Sequence, residues 1–191
     1  MMKLYEIKEK AVKTGRAVFN ISQLSNLIGK PKETAKVYLN RLINKGLAIK
    51  IRKGVISFTD DQYIIATQLI EPSYISLHTA LLYHQKIQQV PKYIQCITTI
   101  NSIKLENLGI IYHKVKPSIF FGFKRKRKGD SYIHIATPEK ALFDALYLNQ
   151  MSQEEAEEII ELLNIKEFEK IVKRARIRKI KRWLKSYLRK R

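Results

Sequence analysis

The sequence predicts an α+β fold in two parts. Three observations carry this. Up to Lys45 the apolar residues recur at helical spacing, and two short β-type runs then flank Arg52-Lys53-Gly54. Across residues 93–136 the texture changes to short β-rich runs, and from Thr137 onward it is helical again. With 191 residues, 45% of them hydrophobic, the chain can build packed cores for one medium or two small domains.

Residues 2–13 read as a first helix, with Leu4, Ile7, Ala11 and Val12 at helical spacing and Gly15 as its stop. Val18-Phe19 is a short extended link. Asn20 is the expected N-cap of a second helix, with Gln23 as its capping-box partner. That helix buries Leu24, Leu27 and Ile28 and ends at Gly29. Pro31 opens a third helix, at a position where a missing N–H costs nothing. Ala35, Leu39, Leu42 and Ile43 form its inward stripe, and Gly46 suits the left-handed stop. Residues 47–51 and 55–58 are β-type runs joined by a tight turn. The order helix, helix, turn, helix, hairpin is that of a winged helix-turn-helix over residues 1–59. A small α+β domain using the same elements only for packing is the alternative.

Asp60-Asp61 marks the expected boundary, and residues 60–191 predict a mixed α/β second domain with C-terminal helices. Residues 61–70 read as a connecting helix. A further helix is expected from Pro72-Ser73 to about Gln85, carrying Tyr74, Leu77, Leu81 and Leu82. The β-rich runs are 93–99, 109–115, 118–124 and 132–136. Lys124, Arg125, Lys126 and Arg127 are expected in a basic hairpin tip closed by Gly129-Asp130. Thr137-Pro138 caps a helix through Leu148. Ser152 caps another, whose Glu154 and Glu155 suit the helix dipole. Helical residues 166–176 and 178–190 complete the pattern.

Lys and Arg number 37 against 17 Asp and Glu, a net charge of +20. Such an excess repels itself unless a polyanion is near. Nucleic acid is the first choice and an anionic membrane the second. Residues 1–59 hold 13 cations and 3 acids, residues 173–191 hold 11 cations and no acid, and the middle is close to neutral. On the third helix the outward side offers Glu33, Thr34, Val37, Asn40 and Arg41, flanked by Lys32, Lys36, Tyr38 and Lys45. A helix in the major groove reads base edges with its N-terminal and middle residues. Arg41 has the reach for guanine O6 and N7, and Val37 or the Thr34 methyl suits a thymine methyl. Lys32, Lys36 and Lys45 are expected on phosphates, and Arg52 and Lys53 on adjacent backbone or minor groove. Any one lysine alone reads better as a solvated charge; the cluster reverses that.

Lys124, Arg125, Lys126, Arg127, Arg178, Lys181 and Arg182 form a candidate secondary basic surface. The tail places Ile177, Ile180, Leu184, Tyr187 and Leu188 on one side and cations elsewhere. Three readings stay open for it: packing on the second domain while extending the DNA-binding surface, docking a partner, or lying on an anionic membrane.

An enzyme is not expected. The sequence has no nucleotide-binding glycine loop, HExxH, CxxC or G-x-S-x-G. His78, His84, His113 and His134 lack ligand spacing, so neither a metal nor a cofactor is expected. Glu139 and Asp144 lie five residues apart, off one helical face; salt bridges or helix-start electrostatics are favoured over acid–base work, and a nuclease is the residual enzymatic reading. Cys96, the only cysteine, reads as a small buried hydrophobe and suits a reducing cytoplasm. No run approaches the ~18 apolar residues of a transmembrane helix. The charged first residues have no signal-peptide pattern.

Two segments resemble a known family. Pro72-Ser73-Tyr74-Ile75-Ser76-Leu77-His78-Thr79-Ala80-Leu81 looks like the "PSYIS…sAL" segment of AbiEi-type antitoxins, and Ile135-Ala136-Thr137-Pro138-Glu139-Lys140-Ala141-Leu142-Phe143-Asp144 resembles their "iA.pEKALlD" segment. The N-terminal elements followed by Arg52-Lys53-Gly54-Val55 match the family's order, so the resemblance covers about residues 18–150. It implies a transcriptional repressor that binds inverted repeats in its own promoter, with two protomers on the operator DNA. It also implies a second domain that counters a nucleotidyltransferase-like toxin, AbiEii, without a stable complex. The basic C-terminal helices depart from or elaborate on that pattern. An RNA-binding or non-specific nucleic-acid-binding protein using the same charges is the alternative.

Overall fold

The structure is a computed structural model describing residues 3–190. Its class is α+β, as expected. In chain order it runs α1 (Leu4–Lys13), β1 (Val18–Asn20), α2 (Ile21–Ile28), α3 (Lys32–Asn44), β2 (Ile49–Arg52), β3 (Val55–Ser57), α4 (Gln62–Leu69), β4 (Ser73–Ile75), α5 (Leu77–Tyr83), β5 (Ile94–Thr98), β6 (Ile103–Leu105), β7 (Ile110–Lys114), β8 (Phe123–Lys128), β9 (Ser131–Ala136), α6 (Pro138–Tyr147), α7 (Gln153–Glu161), α8 (Ile165–Ala175) and α9 (Arg178–Lys190). The first helix, expected over residues 2–13, begins at Leu4 within the described residues, and residue 2 lies outside them.

The chain divides into two compact units. The first holds the residues up to Glu71 together with Lys126–Ile133; the second holds Pro72–Arg125 and the residues from His134. The first unit therefore runs past the boundary expected at 59/60. One buried amide explains why. Gln68 Oε1 accepts from the N–H groups of Ala17 (2.9 Å) and Val18 (3.2 Å), and its Nε2 donates to Ser131 Oγ (2.9 Å) and the Tyr132 carbonyl (3.2 Å). Ser131 Oγ donates in turn to the Gly15 carbonyl at 2.7 Å. Asp61 caps α4 by accepting from the N–H groups of Tyr63 and Ile64, and it also pairs with Lys128. These bonds tie α4 and residues 128–132 to the start of β1.

The first unit's sheet has the order β1-β3-β2, antiparallel throughout. Its core contains Ile7, Ala11, Phe19, Leu24, Leu39, Leu42 and Ile56, with Phe19 edge-on to Phe58 at 5.7 Å between ring centres. Val18-Phe19, read as an extended link, is a paired strand.

The larger sheet has the order β6-β7-β5-β4-β9-β8. β4 runs antiparallel to β5 and parallel to β9, whereas β5 and β7 are parallel. The helix expected from Pro72 is thus a strand, β4, followed by the shorter α5. Ser73, Tyr74 and Ile75 are all buried. A strand covered on both faces shows no alternation, so its apolar residues blend into the helical pattern that follows. Residues 118–124 also differ from expectation. Pro117–Ile119 is a 3-10 turn, and the strand starts only at Phe123. Lys124 to Arg127 consequently lie within β8 and not at a hairpin tip, which is Gly129-Asp130 alone. β8 closes one edge of the sheet. Cations along an edge strand deter pairing with another chain.

The second unit buries a charge pair. Lys140 and Asp144, one turn apart on α6, are both fully buried and ion-paired. Lys140 Nζ donates to Tyr74 Oη at 2.9 Å; Tyr74 Oη and Ser76 Oγ donate to Asp144 Oδ2 at 3.0 and 2.7 Å. The rings of Tyr74, Phe121 and Phe143 surround the ammonium at 5.0–5.5 Å. Burial pushes the Asp144 carboxyl up and the Lys140 ammonium down, each opposed by the other's charge. Gly122 lets the chain cross Lys140 closely: a Cβ there would stand 2.9 Å from its Cγ.

Two outcomes follow. Asp144→Ala should destabilise the fold by about 3–5 kcal/mol, because it strands a buried ammonium, while Lys140→Met/Asp144→Leu should recover most of the loss in denaturant unfolding. His113 on β7 is half-buried with its Nε2 unpartnered, and burial holds its pKa below 6.5. The unfolded chain then binds the proton more readily, so this contribution is intact above the unfolded value and lost as pH falls through it. Thermal melts on either side of pH 6.5 should show a smaller difference for His113→Gln than for the wild type.

Candidate nucleic-acid interface

The basic face of the first unit is built from its helix ends. Asn20 Oδ1 accepts from Gln23 N–H at 2.8 Å and Gln23 Oε1 from Asn20 N–H at 2.9 Å, the reciprocal cap expected from the sequence. Gly29 ends α2 in the left-handed conformation, and Lys30 N–H bonds the Ser25 carbonyl at 3.2 Å. Two residues later the chain enters α3. Pro31 is the N-cap and not the first helical residue; its carbonyl accepts from Ala35 N–H at 2.9 Å.

α3 buries Ala35, Tyr38, Leu39 and Leu42, while Ile43 is half-buried. Tyr38 was expected beside the DNA-facing residues. It is only 6% exposed and belongs to the core, because it sits on the α1 side of the helix. Its ring supports the Arg41 guanidinium, 5.9 Å away. Arg41 is exposed but lines a groove of about 430 Å³ with Leu4, Tyr5, Lys45 and Leu47. Arg41 therefore lies on the flank of the outward face. The centre is held by Glu33, Val37, Asn40 and Asn44, spaced three or four residues apart and all exposed. Val37 is 48% exposed, an apolar side chain offered to solvent between polar neighbours. Lys32, Lys36 and Lys45 are exposed and Thr34 is half-buried. Asn44 escaped the sequence reading, although its spacing from Asn40 already placed it on this stripe.

β2 and β3 form a short hairpin whose register shifts between Lys50 and Arg52. Arg52 and Lys53 at its tip are exposed, as is Lys50. Gly54 turns the chain at φ +74°, and a Cβ there would come within 3.0 Å of Ile21 Cδ1. The positive φ favours glycine, and a side chain there would also push the Ile21 methyl aside.

The other expected cations divide. Lys124, Arg125 and Arg127 are exposed, Lys126 is half-buried, and Arg127 Nε donates to the Gly129 carbonyl at 3.1 Å. Arg178, Lys181 and Arg182 are exposed on α9. The α9 stripe is buried through Ile180, Leu184 and Tyr187, with Trp183 added; Leu188 stays 42% exposed.

The enzyme-type residues do not converge. Glu139 Oε1 accepts from Asn164 N–H at 3.3 Å, whereas Asp144 is held by Lys140. The partner of Asp144 was legible as the lysine four residues before it on one helical face. His78 meets Glu155 at 3.1 Å and His84 the Ala136 carbonyl at 2.9 Å. Among the described residues no group of His, Cys, Asp and Glu is arranged to hold a metal ion. Cys96 is buried, and burial raises its thiol pKa well above the usual range. No helix of the described residues is long and apolar enough to cross a membrane.

No family model matches this chain, and no curated protein matches it.

The burial of Tyr38 yields a direct check. Tyr38→Ala should cost about 3–5 kcal/mol of stability, as large-to-small core changes do, whereas Val37→Ala should leave the melting temperature nearly unchanged.

Proposed function

We propose that the first unit is a winged helix-turn-helix that binds double-stranded DNA, and that the protein is a transcriptional repressor of the AbiEi antitoxin type. One observation carries this reading: the side of α3 opposite its core stripe is fully solvent-facing and mixes an apolar residue, two amides, an acid and flanking cations. Base edges reward that mixture, since Val37 suits a thymine methyl, Asn40 and Asn44 suit adenine N6 and N7, and Glu33 suits cytosine N4. Lys32, Lys36 and Lys45 would then meet phosphates, with Arg52 and Lys53 on the neighbouring strand or minor groove. Two protomers would occupy an inverted repeat, each reading one half-site. The resemblance in residues 72–81 and 135–144 supports assigning the second unit to opposing a nucleotidyltransferase-like toxin.

Binding of the whole protein to a duplex from the gene's own upstream region and to a scrambled duplex tests the reading. The wild type should prefer the upstream duplex. Asn40→Ala should erode that preference by about tenfold, at ~1–3 kcal/mol for a good base contact. Lys36→Gln should weaken both duplexes alike and lower the salt slope by about 0.9. Equal wild-type affinity for both duplexes would refute sequence-specific repression, and tighter binding to structured RNA would favour an RNA-binding protein.

A further inference from the structure

We infer that α9 is a second phosphate-binding surface, a rail of cations that grips a nucleic-acid backbone without reading its sequence. Arg178, Lys181, Arg182, Lys185 and Arg189 are exposed and fall at i, i+3, i+4, i+7 and i+11, one face of one helix. They span about 16 Å along the axis at 1.5 Å per residue. None of the five forms an ion pair among the described residues. The other two lysines of the helix are engaged: Lys190 pairs with Glu157 at 2.9 Å, and Lys179 donates to Asn149 Oδ1. The five are thus left unpaired within a helix whose neighbours do offer acids elsewhere.

The opposite face of α9 decides between polyanions. Ile180, Trp183, Leu184 and Tyr187 are all at most 8% exposed. Trp183 meets Phe168 edge-on and stacks on Tyr187, each at 6.0 Å between ring centres. A helix that inserts into a membrane surface puts its apolar face into the lipid, and this one has already committed that face to the core. A protein partner would want an aromatic or aliphatic anchor at the centre of the patch. Among the exposed residues of α9 the only large apolar one is Leu188, at the end of the helix. A row of long cations with no apolar centre is what a line of phosphates rewards, through release of condensed counterions. The inference uses the nucleic-acid reading of the first unit only for the class of partner, and its test is independent of α3.

The test is the salt dependence of binding by the full chain to a scrambled DNA duplex and, separately, to an RNA duplex of the same length. The variant is Arg182→Gln/Lys185→Gln/Arg189→Gln, three exposed side chains whose loss should leave the melting temperature unchanged. The slope of log affinity against log salt should fall by about 2.7 on DNA, at ~0.9 per phosphate contact, with the preference between upstream and scrambled duplexes preserved. A fall on the RNA duplex alone would identify RNA as the source of the phosphates. Unchanged slopes on both duplexes would overturn the inference, as would loss of binding to phosphatidylserine vesicles without any change on the duplexes. A reduced slope with no wild-type preference for the upstream duplex would keep the rail and refute the repressor reading; the converse would do the opposite.

Discussion

A net charge of +20 has to be carried by a chain that is also 45% hydrophobic. The interior admits almost no unpaired charge, because transferring one from water costs several kcal/mol even after relaxation. In α1, α3, α8 and α9 the fold meets this by burying one apolar stripe and placing cations on the exposed remainder of the helix. α3 and α9 follow the same plan: four core residues on one side and a solvent-facing stripe on the other. They differ in what that outer stripe contains. On α3 it mixes amides, an acid and a valine, whereas on α9 it is cationic from end to end. One composition suits discrimination between bases and the other suits grip.

Lys140 is the exception to outward charge, and its surroundings explain how it is tolerated. A carboxylate one turn away, a phenol and a hydroxyl on the carboxylate, and three aromatic rings replace the water it has lost. Such pairs add little net stability compared with apolar residues of the same volume. They do penalise any packing that separates their members. The Lys140–Asp144 network spans α6, β4 and the residue before α5, so it selects one register of these elements. Gln68 has the same role in the first unit through four hydrogen bonds.

Local signals in the sequence marked the helix ends well. The Asn20–Gln23 cap, the left-handed stops at Gly29 and Gly46, and the Thr137 and Ser152 caps involve residues at most a few positions apart, so their chemistry is complete within one segment. Tyr38 shows where such reasoning ends. Its helical position borders both faces, and its large ring suits either side. Only the presence of α1 beside it sends it inward and turns Arg41 toward the flank.

The class of the fold, the order of most elements and the concentration of charge at the two ends of the chain were all legible in the amino-acid sequence. They follow from composition, periodicity and caps within single segments. Tertiary structure alone decided that residues 73–75 form a central strand, since burial on both faces erases the alternation that announces a strand. It alone drew residues 126–133 into the first unit, because that assignment rests on hydrogen bonds between residues more than sixty positions apart. And it alone left five cations of α9 unpaired, because pairing depends on which acids other helices bring within reach.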